Sequence, residues 1–138
     1  MKISLLDRSL YYKGLLLLIR QDHKIHDEEK KIMLDIGKML GFDPKFCSKT
    51  IEKILNNHHI TDSPPVFSTP DIARCFISDG LSVSASDGQI HEAEIQWLKA
   101  VAEHNGLAHL QIGKMGKSLR EPHGLPGEHL ELINFEWE

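Results

Sequence analysis

The chain has 138 residues, of which 41% are hydrophobic and 26% charged. That is the balance of one ordinary globular domain, which excludes wholesale disorder and allows a core without disulfide or metal staples. Lys and Arg number 16 against 20 Asp and Glu, a net charge of −4, which disfavours a nucleic-acid-binding role because gripping a phosphate backbone takes a basic surface.

The first eight residues have no signal-peptide layout, since Asp7, Arg8 and Lys13 interrupt the apolar stretch. The longest apolar run, Leu15 to Ile19, falls far short of the roughly 20 residues that span a bilayer. Cys47 and Cys75 form no CxxC pair, so a reduced, cytoplasmic protein is expected. Leu6, Leu10, Tyr11, Gly14 and Leu18 mark a first helix. A turn from Asp22 leads to a second, in which Ile32, Met33, Ile36, Met39 and Leu40 recur at helical spacing. Asp43-Pro44 starts a third, with Phe46, Cys47, Ile51, Ile54 and Leu55 inside. Residues 57–68 read as a linker that Pro64-Pro65 keeps from being helical. Thr69 as cap and Pro70 at the first helical position open a fourth helix with Ile72, Cys75, Phe76, Gly80 and Val83. A second turn at Asp87 precedes a fifth helix carrying Trp97, Leu98 and Val101, and a weaker sixth runs from about Ala108 to Leu119. After a Pro/Gly-rich break, the tail alternates acids with Leu130, Leu132, Phe135 and Trp137, a pattern suited to a short extended segment. Its aromatic residues either fold back on the bundle or anchor a neighbour.

The two turns repeat without a gap. Asp22 matches Asp87, Ile25 matches Ile90, His26 matches His91, Glu29 matches Glu94 and Gly41 matches Gly106. The apolar pairs Met33/Leu98, Ile36/Val101 and Phe42/Leu107 follow in register. In each copy the His sits at the N-cap, the Glu at the third helical position where a carboxylate reaches back to free amides, and the Gly at a left-handed C-terminal cap. The expected architecture is therefore all-α. A single domain over 1–121 holds six helices in two pseudo-repeats of three, about 4–56 and 69–120, and 122–138 form a tail separable from the bundle.

The shared motif, D-[HG]-[KQ]-I-H-x-x-E, looks like the second half of an EF-hand loop. The first half is missing, because Val83 and Ala85, or Leu18 and Arg20, stand where oxygen ligands belong. The histidines give neither HExxH nor a ferritin-type ExxH, and there is no P-loop, GxGxxG or GxSxG, so no enzymatic activity is expected. The turns resemble those of the TerB-like family of tellurite-resistance and stress-associated proteins, most specifically at Ala85–Glu94 and less closely at Asp22–Glu29, where His23 replaces the turn glycine.

That resemblance implies an all-helical, non-enzymatic module, stress-associated, with calcium or magnesium on acidic residues of the turn and helix. By position these are Asp87 and Glu94, then Asp22 and Glu29. Asp79, on the apolar face of its helix, would need a partner if buried and would serve as a third hard ligand. Set against this, Glu29 and Glu94 also suit plain helix capping, and Asp22 and Asp87 plain turn stabilisation. The competing expectation is a metal-free module that binds a protein partner through the bundle surface or the tail.

Overall fold

The computed structural model describes residues 1–21, 27–57, 59–87, 90–118 and 130–137, with Asp87 and Ser118 described through their backbone alone. In chain order these form strand β1 (Lys2–Ile3) and helices α1 (Leu5–Arg20), α2 (Asp27–Met39), α3 (Pro44–Asn56) and α4 (Pro70–Ser84). A 3-10 turn (Ala85–Asp87), α5 (Glu92–His104), α6 (Ile112–Ser118), a second 3-10 turn (Glu131–Asn134) and strand β2 (Glu136–Trp137) follow. The fold is mostly helical, as expected. Among the described residues its one sheet is a parallel pair with Lys2 opposite Glu136 and Ile3 opposite Trp137. No helix among them is long and apolar enough to cross a membrane.

Helix starts follow side-chain caps, of which Asp43 and Thr69 stand at starts legible in the sequence. Ser4 Oγ accepts from the Asp7 amide at 3.1 Å, Asp43 from Lys45 at 2.7 Å, and Thr69 from Ile72 at 3.2 Å. Pro44 and Pro70 occupy first-turn positions, where the missing N–H costs nothing. The ends of α2 and α5 are built alike. Gly41 and Gly106 take φ of 82° and 74°. Phe42 N–H donates to the Gly37 carbonyl and Gly41 to Lys38, while Leu107 donates to Ala102 and Gly106 to Glu103. Each is a Schellman motif closed by a glycine that tolerates the left-handed conformation.

Helix α1 is buried on nearly every side, from Tyr11 and Tyr12 to Leu18 and Ile19. A helix apolar all round belongs at the centre. It packs against α2 and α3 and against α4 and α5, while α4 also carries α6 and the turn of the tail. The central pair approaches closely. A Cβ added to Gly14 would lie 2.9 Å from the Phe76 ring, and one added to Gly80 would lie 2.9 Å from Leu18 Cδ2. The outer helices bury a narrower stripe than the spacing predicts: Met33, Ile36 and Leu40 are inside, Ile32 is half-buried and Met39 is exposed.

The linker is strapped to this core. Arg20 donates to the carbonyls of Ile54, Asn57 and Ile60 and pairs with Asp62. Trp97 Nε1 donates to the Asp62 carbonyl at 2.8 Å, and Asn105 binds Phe67 N–H and the Pro65 carbonyl, each at 2.9 Å. Buried Asp7 takes the Ser68 amide and hydroxyl.

The C-terminal segment folds back on the bundle, one of the two alternatives its aromatic residues leave open. Leu130 and Leu132 are fully inside, and Phe135 meets Tyr11 edge to face at 5.3 Å. Trp137 lies over Gly41 with the Arg8 guanidinium 4.7 Å from its ring. Its first residues are not extended as the alternation suggests; they form the 3-10 turn, which aims two successive amides into the bundle.

Candidate functional site

At the second turn, α5 begins with His91 as N-cap, and Glu94 at the third helical position accepts the His91 amide at 3.1 Å. This is the capping arrangement read from the spacing, and it uses a carboxylate that is 2% exposed. In the first copy α2 starts at Asp27, so Glu29 also occupies the third position and is also buried. Asp22, His23 and His26 lie outside the described residues, as do Gly88 and the side chain of Asp87. Asp87 closes the 3-10 turn that leads from α4 towards α5.

Asp79 is buried, as its place on the apolar face of α4 implies, but Tyr11 and the tail are its partners. Tyr11 Oη donates to Oδ2 at 2.5 Å. Glu131 N–H donates to Oδ1 at 2.6 Å, and Leu132 N–H donates to Oδ2 at 3.1 Å. Three donors converge on one carboxylate and supply the partners that its burial requires. Among the described residues, no group of three or more His, Cys, Asp or Glu side chains gathers as a metal site would require.

Burial dominates the electrostatics here. It pushes the Asp79 carboxyl up to about 7, against the lowering effect of the Tyr11 hydroxyl and the two tail amides, and the nearby Glu131 carboxylate adds to the rise. Burial, and then Asp79, hold the Tyr11 phenol well above its ordinary value and raise the Cys75 thiol to about 11. Both effects favour the neutral thiol of Cys75.

The sequence flagged Asp79 but not its partners. Nothing near Tyr11 or residues 131–132 signals a hydrogen bond to α4, since the groups are 68 and 52 residues away. Only the burial argument, that a charge on an apolar face must find donors, pointed towards it. A second feature went unread: a shallow cavity of about 250 Å³ between α2 and α3. Leu34, Ile51 and Leu55 give it an apolar floor, and Lys30, Ser48, Glu52 and Asn56 rim it.

Comparison with known protein families, with curated proteins and with solved structures finds no match to this chain.

Proposed function

We propose that the chain is a non-enzymatic helical module of TerB-like architecture, made of two related halves, which acts by binding a protein partner. One observation carries this reading: the chemistry-bearing side chains serve the scaffold. Asp79 holds the tail, Glu94 caps α5, Asp7 fixes the start of α4, and Tyr12 donates to the Met33 carbonyl at 2.9 Å. The halves are supported by buried glutamates at matched positions and by matched Schellman ends. Binding surface is available at the α2–α3 cavity, where Leu34 is 39% exposed, and at the tail, where Ile133 is 53% exposed. The test is affinity capture on the full chain, repeated with Leu34→Asp and Ile133→Asp. A partner lost with either variant supports the reading, and a partner set indifferent to both overturns it.

A second reading, calcium or magnesium at the second turn, is favoured by two observations. Glu94 is a buried carboxylate beside the turn. Ser84 Oγ, one residue before that turn, is buried and has no hydrogen-bond partner among the described residues. Elemental analysis and melting curves with and without each cation decide it. Binding to the folded state raises Tm, and Asp87→Asn and Glu94→Gln would abolish that rise. Without a rise in the wild type, the metal-free module stands.

A further inference from the structure

Arg8 is the one arginine among the described residues that pairs with no carboxylate. Arg20 pairs with Asp62 and Arg74 with Asp71. The half-buried Arg8 donates through Nη1 to the Leu40 carbonyl at 2.9 Å, and among the described residues nothing accepts from its other nitrogens. Its Nε is buried in that state. The adjacent Asp7 turns away, with its oxygens taken by Ser4 and Ser68. A partly desolvated cation short of acceptors is unfavourable, and an added acceptor at that point is what would relieve it.

Two rings define what can reach it. Phe42 follows the left-handed Gly41 and Trp137 lies in β2, and the guanidinium carbon stands 5.9 Å from the Phe42 centroid and 4.7 Å from that of Trp137. Aromatic faces hold a guanidinium by its plane and leave its N–H edge for an acceptor. Phe46, in the first turn of α3, meets Phe42 at 5.2 Å. Leu5 stands three residues before Arg8, on the same face of α1. Leu5, Phe46 and Trp137 are exposed, so a single open positive charge has an apolar border. Arginine and tryptophan together, beside apolar surface, are the side chains that most often anchor a protein partner. The wider charge distribution gives the sign of that partner. Residues 1–57, which supply Arg8, Phe42 and Phe46, hold 11 Lys and Arg against 8 Asp and Glu, whereas the rest of the chain holds 5 against 12. An acidic partner is drawn to the first part and repelled by the second.

We infer that Arg8, with Phe42, Phe46 and Trp137 around it, is a docking site for an acidic peptide, in which an Asp or Glu carboxylate meets the guanidinium and an adjoining apolar side chain covers the rings. Nη2 is the point of attachment, because Nε is buried. One guanidinium balances one carboxylate, and the bond between them is charge-assisted. The inference goes beyond the reading of the chain as a binding module: it concerns a surface other than the α2–α3 cavity and fixes the chemistry of what binds there.

The experiment uses the full chain and a fluorescently labelled peptide, Leu-Asp-Leu-Asp-Leu, with Leu-Asn-Leu-Asn-Leu and inorganic phosphate as controls. Fluorescence anisotropy should show saturable binding of the acidic peptide that weakens as salt is raised. Arg8→Gln should weaken it by about ten- to a hundredfold, the worth of a hydrogen bond to a charged group. Phe46→Ser should also weaken it while leaving Arg8 and its bond to Leu40 in place, and this variant decides the matter if Arg8→Gln melts below the wild type. Leu34→Asp, at the cavity, should leave the affinity unchanged. Equal affinity for the two peptides, affinity indifferent to Arg8→Gln and Phe46→Ser, or loss with Leu34→Asp overturns the inference. Displacement of the peptide by an equal concentration of phosphate also overturns it, since Arg8 would then be a site for free anions. A captured partner that depends on Leu34 or Ile133 but not on Arg8 refutes this site and leaves the binding-module reading standing.

Discussion

Tyr11 and Phe76 meet edge to face at the centre of the bundle, their ring centroids 5.3 Å apart and their planes at 87°. They stand at the same separation along the chain as Asp22 and Asp87, or Gly41 and Gly106. Truncating Phe76 to Ala should cost about 3–5 kcal/mol in urea unfolding, the range for a buried aromatic. Tyr11→Phe keeps the ring contact and removes only a donor to Asp79, so about 1–3 kcal/mol is expected.

The two C-cap glycines separate backbone strain from contact. Both require positive φ, but a Cβ on Gly106 meets nothing within 4 Å, whereas one on Gly41 falls 2.4 Å from the Trp137 indole. Gly106→Ala should cost about 1–2 kcal/mol from the left-handed backbone alone. Gly41→Ala should cost more and move the indole, read as a change in fluorescence that is absent from Gly106→Ala and from a Trp137→Phe background.

Asp79 gives stability a pH dependence of definite sign. Its carboxyl is raised to about 7 from the ordinary 3.8, so between those values the folded chain holds a proton that the unfolded chain has released. The group's contribution is therefore fully present at low pH and lost as pH climbs through the folded value. At full slope this is about 1.4 kcal/mol per pH unit. The stability difference between wild type and Asp79→Asn should fall between about pH 4 and about pH 7 and level off above that, as measured by urea midpoints. A flat difference would show that the site stays hydrated.

Ending the chain after residue 129 should leave helices but lower their stability. The truncation removes buried Leu130 and Leu132, each worth roughly 1.5–3 kcal/mol, and opens Asp79 and Tyr11 to water. A lower Tm by circular dichroism, with the Asp79 carboxyl returning towards its ordinary value by NMR, is the expected pair of results. An unchanged Tm would make the segment an ornament on the bundle.

Local chemistry was the legible part. Thr69-Pro70, Asp43-Pro44, the His91–Glu94 spacing and the glycines at 41 and 106 each specify a helix end within a few residues, and each end is found there. What escaped were pairings across the chain: Arg20 on the linker carbonyls, Asp7 on Ser68, and above all Asp79 on the tail amides. A main-chain N–H has the same chemistry at almost every residue, so sequence gives no sign of which amide a buried carboxylate will capture. The alternation in the tail suits an extended segment and gives no sign of the 3-10 turn that carries Leu130 and Leu132 inward.

The parallel pairing of Ile3 with Trp137 also sets an order of events. It closes a loop nearly as long as the chain, and loop-closure entropy must be met before so distant a contact stabilises anything. Helices α1 to α5, with their short connections, can assemble earlier. The strand pair and the Asp79 contacts would then be the last region to form during folding and the first to open in the native state, exchanging amide hydrogens through openings that leave the central helices intact.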